Sequence, residues 1–263
     1  MSEAVIRALI FASVFSVMGL IEWRLSFRPL AVRKGFRWLN NLGVLVVDIL
    51  AVRLLLPVLA VGVAADVYAQ QGGLFGLLNM PLWLDAPLGF LLRDLAIYAQ
   101  HWASHRVPLL WRLHRMHHSD IDLDVSTALR FHPLEIAGSM LYKIALVWAL
   151  GIHPGVVLVF EIVLNATAIF NHANISIPHR LERLLRGVVV TPDMHRVHHS
   201  IRPSETNANY GFNFPWWDRV FGTYVARPMD DPQSMPIGIE AFRAEADSAL
   251  AKLLLQPFVS DRR

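Results

Sequence analysis

Apolar residues along this chain fall in long blocks, and five of them are rich enough to cross a bilayer: roughly 4–21, 42–65, 86–104, 136–152 and 155–171. A crossing helix needs about 17 to 25 residues, so the last two predict a tight hairpin that only just spans. Gly151-Ile152-His153-Pro154-Gly155 supplies its turn. The first block, Ala4 to Ile21, has no basic leading region and ends in Glu22-Trp23-Arg24, which predicts an uncleaved span rather than a secretory signal. Residues 70–84, with Gly72-Gly73, Trp83 and no basic residue, predict a shallow interfacial helix. Residues 173–263 predict a cap of short helices with Pro215-Trp216-Trp217 and Phe221 as aromatic anchors.

Charge gives these blocks an orientation. Arg24, Arg28, Arg33, Lys34 and Arg37 lie in the first connection, Arg106, Arg112, Arg115 and Arg130 between the third and fourth blocks, and eleven further Lys and Arg residues follow Ala173. Residues 67–85 and 151–155 have none. The positive-inside rule therefore puts the N-terminus outside and the long tail in the cytoplasm, as expected of a multi-pass protein of a bacterial inner membrane. The expected fold class is all-α and integral to the membrane, with four to five transmembrane helices and a cytoplasmic helical cap. Its parts are residues 1–85 (transmembrane and interfacial helices), 86–225 (the domain that carries the candidate site residues) and 226–263 (a C-terminal tail).

Composition agrees. With 54% hydrophobic and 17% charged residues among 263, the chain is too apolar for an ordinary soluble domain, and its net charge of +3 sits in blocks between spans rather than on a nucleic-acid-binding face. Cysteine is absent, which excludes disulfides, thiolate metal sites and cysteine nucleophiles. Any metal must be held by nitrogen and oxygen.

Histidine is the obvious source of such ligands. His101 and His105 stand at i and i+4, on one face of a helix. His114, His117 and His118 stand at i, i+3 and i+4, and His195, His198 and His199 repeat that spacing. In each adjacent pair one ring can turn toward each of two metals. Thr191 and Pro192 read as the N-cap and first position of the helix that carries the third cluster. A single such pair is most simply a hydrogen-bonded core group; three clusters, predicted to share one membrane face, point to a two-metal centre.

Other polar residues join this picture with less force. Glu161, Asn165 and His172 lie along one face of the last span, where a polar stripe faces a site or cavity, or else bonds a neighbouring helix. His172 and His179 bring the candidate ligands to ten, although His179 reads equally well as an exposed loop residue. His132 is assigned to a second shell or a substrate gate. Asp94 and Tyr98 precede His101 and His105 by one heptad and are candidates to orient the rings, with an Arg93–Asp94 ion pair as the simpler alternative. The acidic run Asp120, Asp122 and Asp124 reads as a solvated loop. His153, in the turn on the other side, is excluded as a ligand.

The boxes His-x-x-x-His, His-x-x-His-His and His-x-x-His-His, with the run from Asn209 to Tyr224, resemble the fatty acid hydroxylase superfamily, in particular its bacterial sterol-desaturase-like branch. The resemblance covers residues 90 to 225 and implies a membrane-embedded helical fold, a cytoplasmic di-metal site, dioxygen-dependent chemistry and a lipid substrate. It assigns ligand roles to His101, His105, His114, His117, His118, His195, His198 and His199. In related hydroxylases a further pair precedes the last box; His172 and His179 match it best, at a spacing wider than in some members.

Breaking an unactivated C–H bond requires a redox cofactor, so two Fe ions are the expected metal, although imidazole also suits zinc and purified protein can carry Zn. The expected outcome is hydroxylation or desaturation of a sterol, fatty acyl or related lipid. No haem, flavin or dinucleotide motif is visible, so a separate electron-donor protein must dock. Arg112, Arg115, Arg183, Arg186 and Arg196 form a candidate landing surface, for which ordinary positive-inside charge is the simpler explanation. The competing readings are a histidine-rich membrane protein for metal transport or sensing, and a structural metal site without redox activity. Transport would place ligands along a pathway near mid-membrane rather than at one face.

Overall fold

The computed structural model describes residues 1–260. Among them there is no β-strand, only two isolated bridges, Ser26 with Ile175 and Ser200 with Ile237. Four helical stretches are long and apolar enough to cross a membrane: Glu3–Arg24, Lys34–Leu77, Pro133–Leu150 and Pro154–His172. The first, third and fourth are the helices α1 (Glu3–Arg24), α7 (Pro133–Leu150) and α8 (Pro154–His172). Their outward faces carry bare apolar side chains such as Leu9, Leu20, Leu141, Trp148 and Val159, the surface that lipid rather than water tolerates.

The second stretch is not one helix. α2 (Lys34–Leu55) stops before Leu56, whose backbone is extended because Pro57 follows it. α3 (Ala60–Ala69) and the short α4 (Gly73–Leu77) then pack on α7 and α8. The single span expected at 42–65 is thus corrected to a longer stretch that begins at Lys34 and is broken at Pro57, with α3 carrying the chain on to the α7–α8 turn, where Tyr68 packs against His153. The shallow helix expected at 70–84 reduces to α4 and the first turn of α5 (Leu82–Arg106).

α5 has 25 residues, ample for a crossing, yet it falls outside the four most apolar stretches because it buries Asp85, Arg93, Asp94 and His101 inside the protein. It packs against α8, α7 and α6 (Pro108–His118). At the end opposite the histidines, α7 closes on Gly151 in the left-handed conformation (φ 69°). A Cβ there would lie 2.1 Å from the Gly72 carbonyl oxygen, and one on Gly73 would lie 2.3 Å from the Gly151 nitrogen, so two glycines let α4 meet the α7–α8 turn. In the same turn His153 caps α8 through Nδ1, which accepts from Gly155 N, while its own backbone N–H donates to Asp85 at 3.0 Å.

Short helices gather at the other end: α9 (His179–Leu185), α10 (Pro192–His198), α11 (Pro203–Thr206), α12 (Trp216–Val220) and α13 (Leu250–Leu255). The segment around α13 straps α2 to α6. Leu250 N donates to Asn40 Oδ1 at 2.7 Å, Leu253 is buried with Val44 and Met116, and Arg115 donates to the carbonyls of Gln256 and Val259.

The acidic run after α6 is not a solvated loop. Asp120 and Asp124 are fully buried around the equally buried Arg37, whose guanidinium donates to Asp120 at 2.8 and 3.0 Å and to Asp124 at 2.7 Å. Asp122 accepts from the backbone N–H groups of Ala31 and Val32. Three carboxylates placed together in sequence thus bind the connection α1–α2 to the second histidine helix, where water could not have stabilised them.

Candidate metal centre

Nine of the ten candidate histidines meet in two adjoining groups. One contains His101 and His105 of α5, His114 and His118 of α6, and His198 of α10; the other contains His117 of α6, His172 at the end of α8, His195 of α10 and His199 at its C-cap. Within each group one ligand nitrogen per residue lies within 4.8 Å of all the others. The neighbours His117 and His118 face different groups, as do His198 and His199, because residues adjacent on a helix diverge by about 100°. His118 and His199 stack at 4.6 Å where the groups touch.

Four rings are fixed from behind by an oxygen at Nδ1. His101 is held by the Tyr210 carbonyl (2.8 Å), His198 by the Ala208 carbonyl (2.7 Å), His172 by the Ala168 carbonyl (2.6 Å) and His114 by the Glu135 carboxylate (2.7 Å). An N–H on Nδ1 leaves the Nε2 lone pair facing inward, the tautomer a metal requires. Those of His101, His114 and His198 have no hydrogen-bond partner, and neither nitrogen of His105 or His118 has one. Buried polar atoms without partners are costly, and here they converge on one point.

The second group carries the sharper test. His172 Nε2 lies 3.1 Å from His117 Nε2 and 3.0 Å from His195 Nε2, and His195 Nε2 lies 3.2 Å from His199 Nε2. Hydrogen bonds cannot satisfy this arrangement. With its proton committed to Ala168, His172 offers one lone pair to two neighbours, and His195 cannot donate to His172 and accept from His199 through the same atom. Nitrogens bound about 2.1 Å from a shared cation at right angles would lie about 3.0 Å apart, so the residues fit a metal. Burial, reinforced by the neighbouring rings, holds His117, His118, His195 and His199 well below the usual histidine range, so they are neutral and ready to ligate.

His179 stands apart. It is exposed at the start of α9 because Pro178 ends the extended connection after α8 and turns the chain into a new helix away from the groups. His132 caps α7 through Nδ1 and lies 3.2 Å from the Leu254 carbonyl through Nε2, so it joins α7 to the C-terminal strap. Asp94 accepts from Trp217 Nε1 at 2.8 Å and Tyr98 shares a 2.8 Å hydrogen bond with Thr223; neither bonds an imidazole. Arg93 pairs with Glu161 rather than with Asp94, and Glu161 also takes Arg7, which ties α1, α5 and α8 together. Asn165 lines a small crevice between α1 and α8 beside Arg7.

Sequence reasoning missed Glu135, whose only signal is an acidic residue in the first turn of α7, and the aromatic wall around the rings. Phe131 stacks on His117 at 4.3 Å, Trp111 packs against His105 at 5.1 Å and Tyr210 lies 5.2 Å from His105. These rings exclude water from the nitrogens. The proposed landing surface does not survive in full either: Arg115 and Arg196 are buried, the latter paired with Asp193.

The fatty acid hydroxylase family model matches residues 86–223, which takes in every box, and the chain belongs to that family. It is 34% identical over 182 residues to an ornithine lipid hydroxylase of Rhizobium tropici, covering 68% of this chain and 51% of that protein. It is 31% identical over 147 residues to an alkylglycerol monooxygenase of Caenorhabditis elegans (53% of this chain, 27% of that one). It is 28% identical over 144 residues to a cholesterol 25-hydroxylase of Rattus norvegicus (52% and 46%). The chain thus spans about half the length, or less, of the curated relatives it matches. No solved structure matches it.

Proposed function

We propose that this protein is a membrane-bound di-iron oxygenase that hydroxylates a membrane lipid with dioxygen and two external electrons. The observation that carries the reading is the pair of buried histidine groups whose lone pairs converge where hydrogen bonds cannot satisfy them. Hydroxylation is favoured over desaturation because the relatives named above are hydroxylases and monooxygenases. Enclosure of both groups behind aromatic side chains argues against metal transport, which needs a route in and out.

His101, His105, His114, His118 and His198 would hold one iron and His117, His172, His195 and His199 the other. Bound there, the metals would supply the dioxygen activation that side chains lack. The chain's own part is to hold geometry and exclude water. The carbonyls of Tyr210, Ala208 and Ala168 and the carboxylate of Glu135 fix ring orientation, which keeps the ligands arranged before metal or substrate arrives. α5 and α8 both deliver histidines to one end of the helical bundle, which supports approach of a lipid substrate from the bilayer there. By the distribution of Arg and Lys this end is cytoplasmic.

The test is anaerobic loading of the purified protein with ferrous iron, followed by dioxygen, a chemical reductant and lipid extracts. A lipid product one oxygen atom heavier, formed with oxygen uptake, is the expected result. Protein that binds iron but consumes no oxygen with any extract would overturn the reading.

A further inference from the structure

On α10, Asp193 and Arg196 occupy the helix face opposite His195, His198 and His199. That face is the floor of a cleft of about 620 Å³ walled by α9 and residues 226–235. Its two carboxylates are already matched: Glu182 accepts from Arg186 Nε at 2.7 Å, and Asp193 from Arg196 Nη1 at 2.6 Å. Arg183 and Arg227 also line it, are exposed, and have no carboxylate partner among the described residues. The cleft therefore carries a surplus of two positive charges directly behind α10, which with α6 delivers ligands to both histidine groups.

We propose that this cleft docks an acidic one-electron carrier protein, an inference that rests on the oxygenase reading above. Hydroxylation balances as R–H + O2 + 2 e− + 2 H+ → R–OH + H2O, and the chain has no cysteine and no haem, flavin or dinucleotide motif to store those electrons. Each encounter would oxidise the carrier by one electron and pass that electron to metals held by the two histidine groups, so a turnover would need two encounters. A hydride donor is mismatched, since hydride delivers both electrons at once to a centre that accepts them singly. A bilayer surface is flat and cannot enter a concavity, whereas a carrier with a convex acidic patch can. Unpaired arginines at the rim then steer it without needing tight binding.

The experiment uses the full chain in detergent micelles, a plant-type [2Fe–2S] ferredoxin as the acidic carrier, and the double variant Arg183→Glu/Arg227→Glu. Wild-type protein should bind the ferredoxin with an association rate that falls steeply as salt rises. In the double variant that rate should drop by about tenfold at low salt and lose most of its salt dependence. Hydroxylated lipid formed in a single turnover, when the protein is reduced anaerobically with dithionite and freed of it before dioxygen is admitted, needs no docking and should be unchanged; this arm alone reports on the oxygenase reading. Equal ferredoxin binding by both proteins, or wild-type binding that ignores salt, would overturn the docking site. So would a variant that loses binding to phosphatidylglycerol vesicles while keeping ferredoxin binding, because the arginines would then face lipid.

Discussion

His101 donates from Nδ1 to the carbonyl oxygen of Tyr210, 109 residues further along the chain, at 2.8 Å. That carbonyl is itself held in place by Asp218, which accepts from the backbone N–H groups of Tyr210 and Gly211 at 2.8 Å each and from the Thr223 hydroxyl at 2.7 Å. A carboxylate well outside the histidine groups thus sets the aim of one ring. Asp218→Ala leaves three donors unpaired in a buried loop and should destabilise the fold by about 1–3 kcal/mol, with less iron retained per chain. Asp218→Asn keeps one acceptor oxygen and should lose less. Thermal unfolding and metal analysis of both variants check this.

Metal stoichiometry should follow the division of the rings. His198→Ala and His117→Ala each remove a candidate ligand from a different group, so each should retain about one metal, the wild type being expected to hold two, with activity abolished. His179→Ala and His153→Ala should keep both metals, since neither residue belongs to a group. Loss of metal from the His153 variant would contradict this assignment.

Glu135→Gln tests the one anchoring group that is a side chain. It keeps the size and an acceptor oxygen but removes the charge behind His114, and should lower iron affinity by about 10-fold; Glu135→Ala should approach 100-fold. Competition with a chelator of known affinity gives both values.

The buried Arg37 cluster should behave as a structural unit. Arg37→Ala leaves Asp120 and Asp124 without their main partner in a site sealed from water, and should cost about 3–5 kcal/mol. Adding Asp120→Asn and Asp124→Asn should restore part of the loss, because the uncompensated charges go with the arginine. Unfolding midpoints in one detergent compare the variants.

What the sequence displayed and what it hid divide along physical lines. Helix spacing and the blocks of basic residues are local properties, and they announced the all-helical bundle and the clustering of His101, His105, His114 and His195. Pro57 was a visible break inside the block 42–65, overridden by the apolar residues on either side of it. Asp120 and Asp124 looked solvated because their partner Arg37 is more than 80 residues away, and nothing in a local window reveals a distant guanidinium. The polar stripe of the last span sets His172 above His179 in the sequence, but spacing alone leaves both as candidates. The path of the chain after α8, where Pro178 starts a separate helix, then takes His179 away from the groups. Glu135 and the carbonyl anchors were invisible for the same reason as Arg37, and backbone atoms carry no sequence signal at all.

Three of the four oxygens that hold the histidine rings at Nδ1 belong to the main chain, at Tyr210, Ala208 and Ala168. A carbonyl survives any substitution of its own side chain that preserves the local backbone. Substitution at Ala208 or Ala168 that keeps the local backbone therefore leaves the aim of His198 and His172 unchanged. The orientation of these rings is thus encoded in the path of the main chain, and the side chains around them can change without re-aiming the nitrogens.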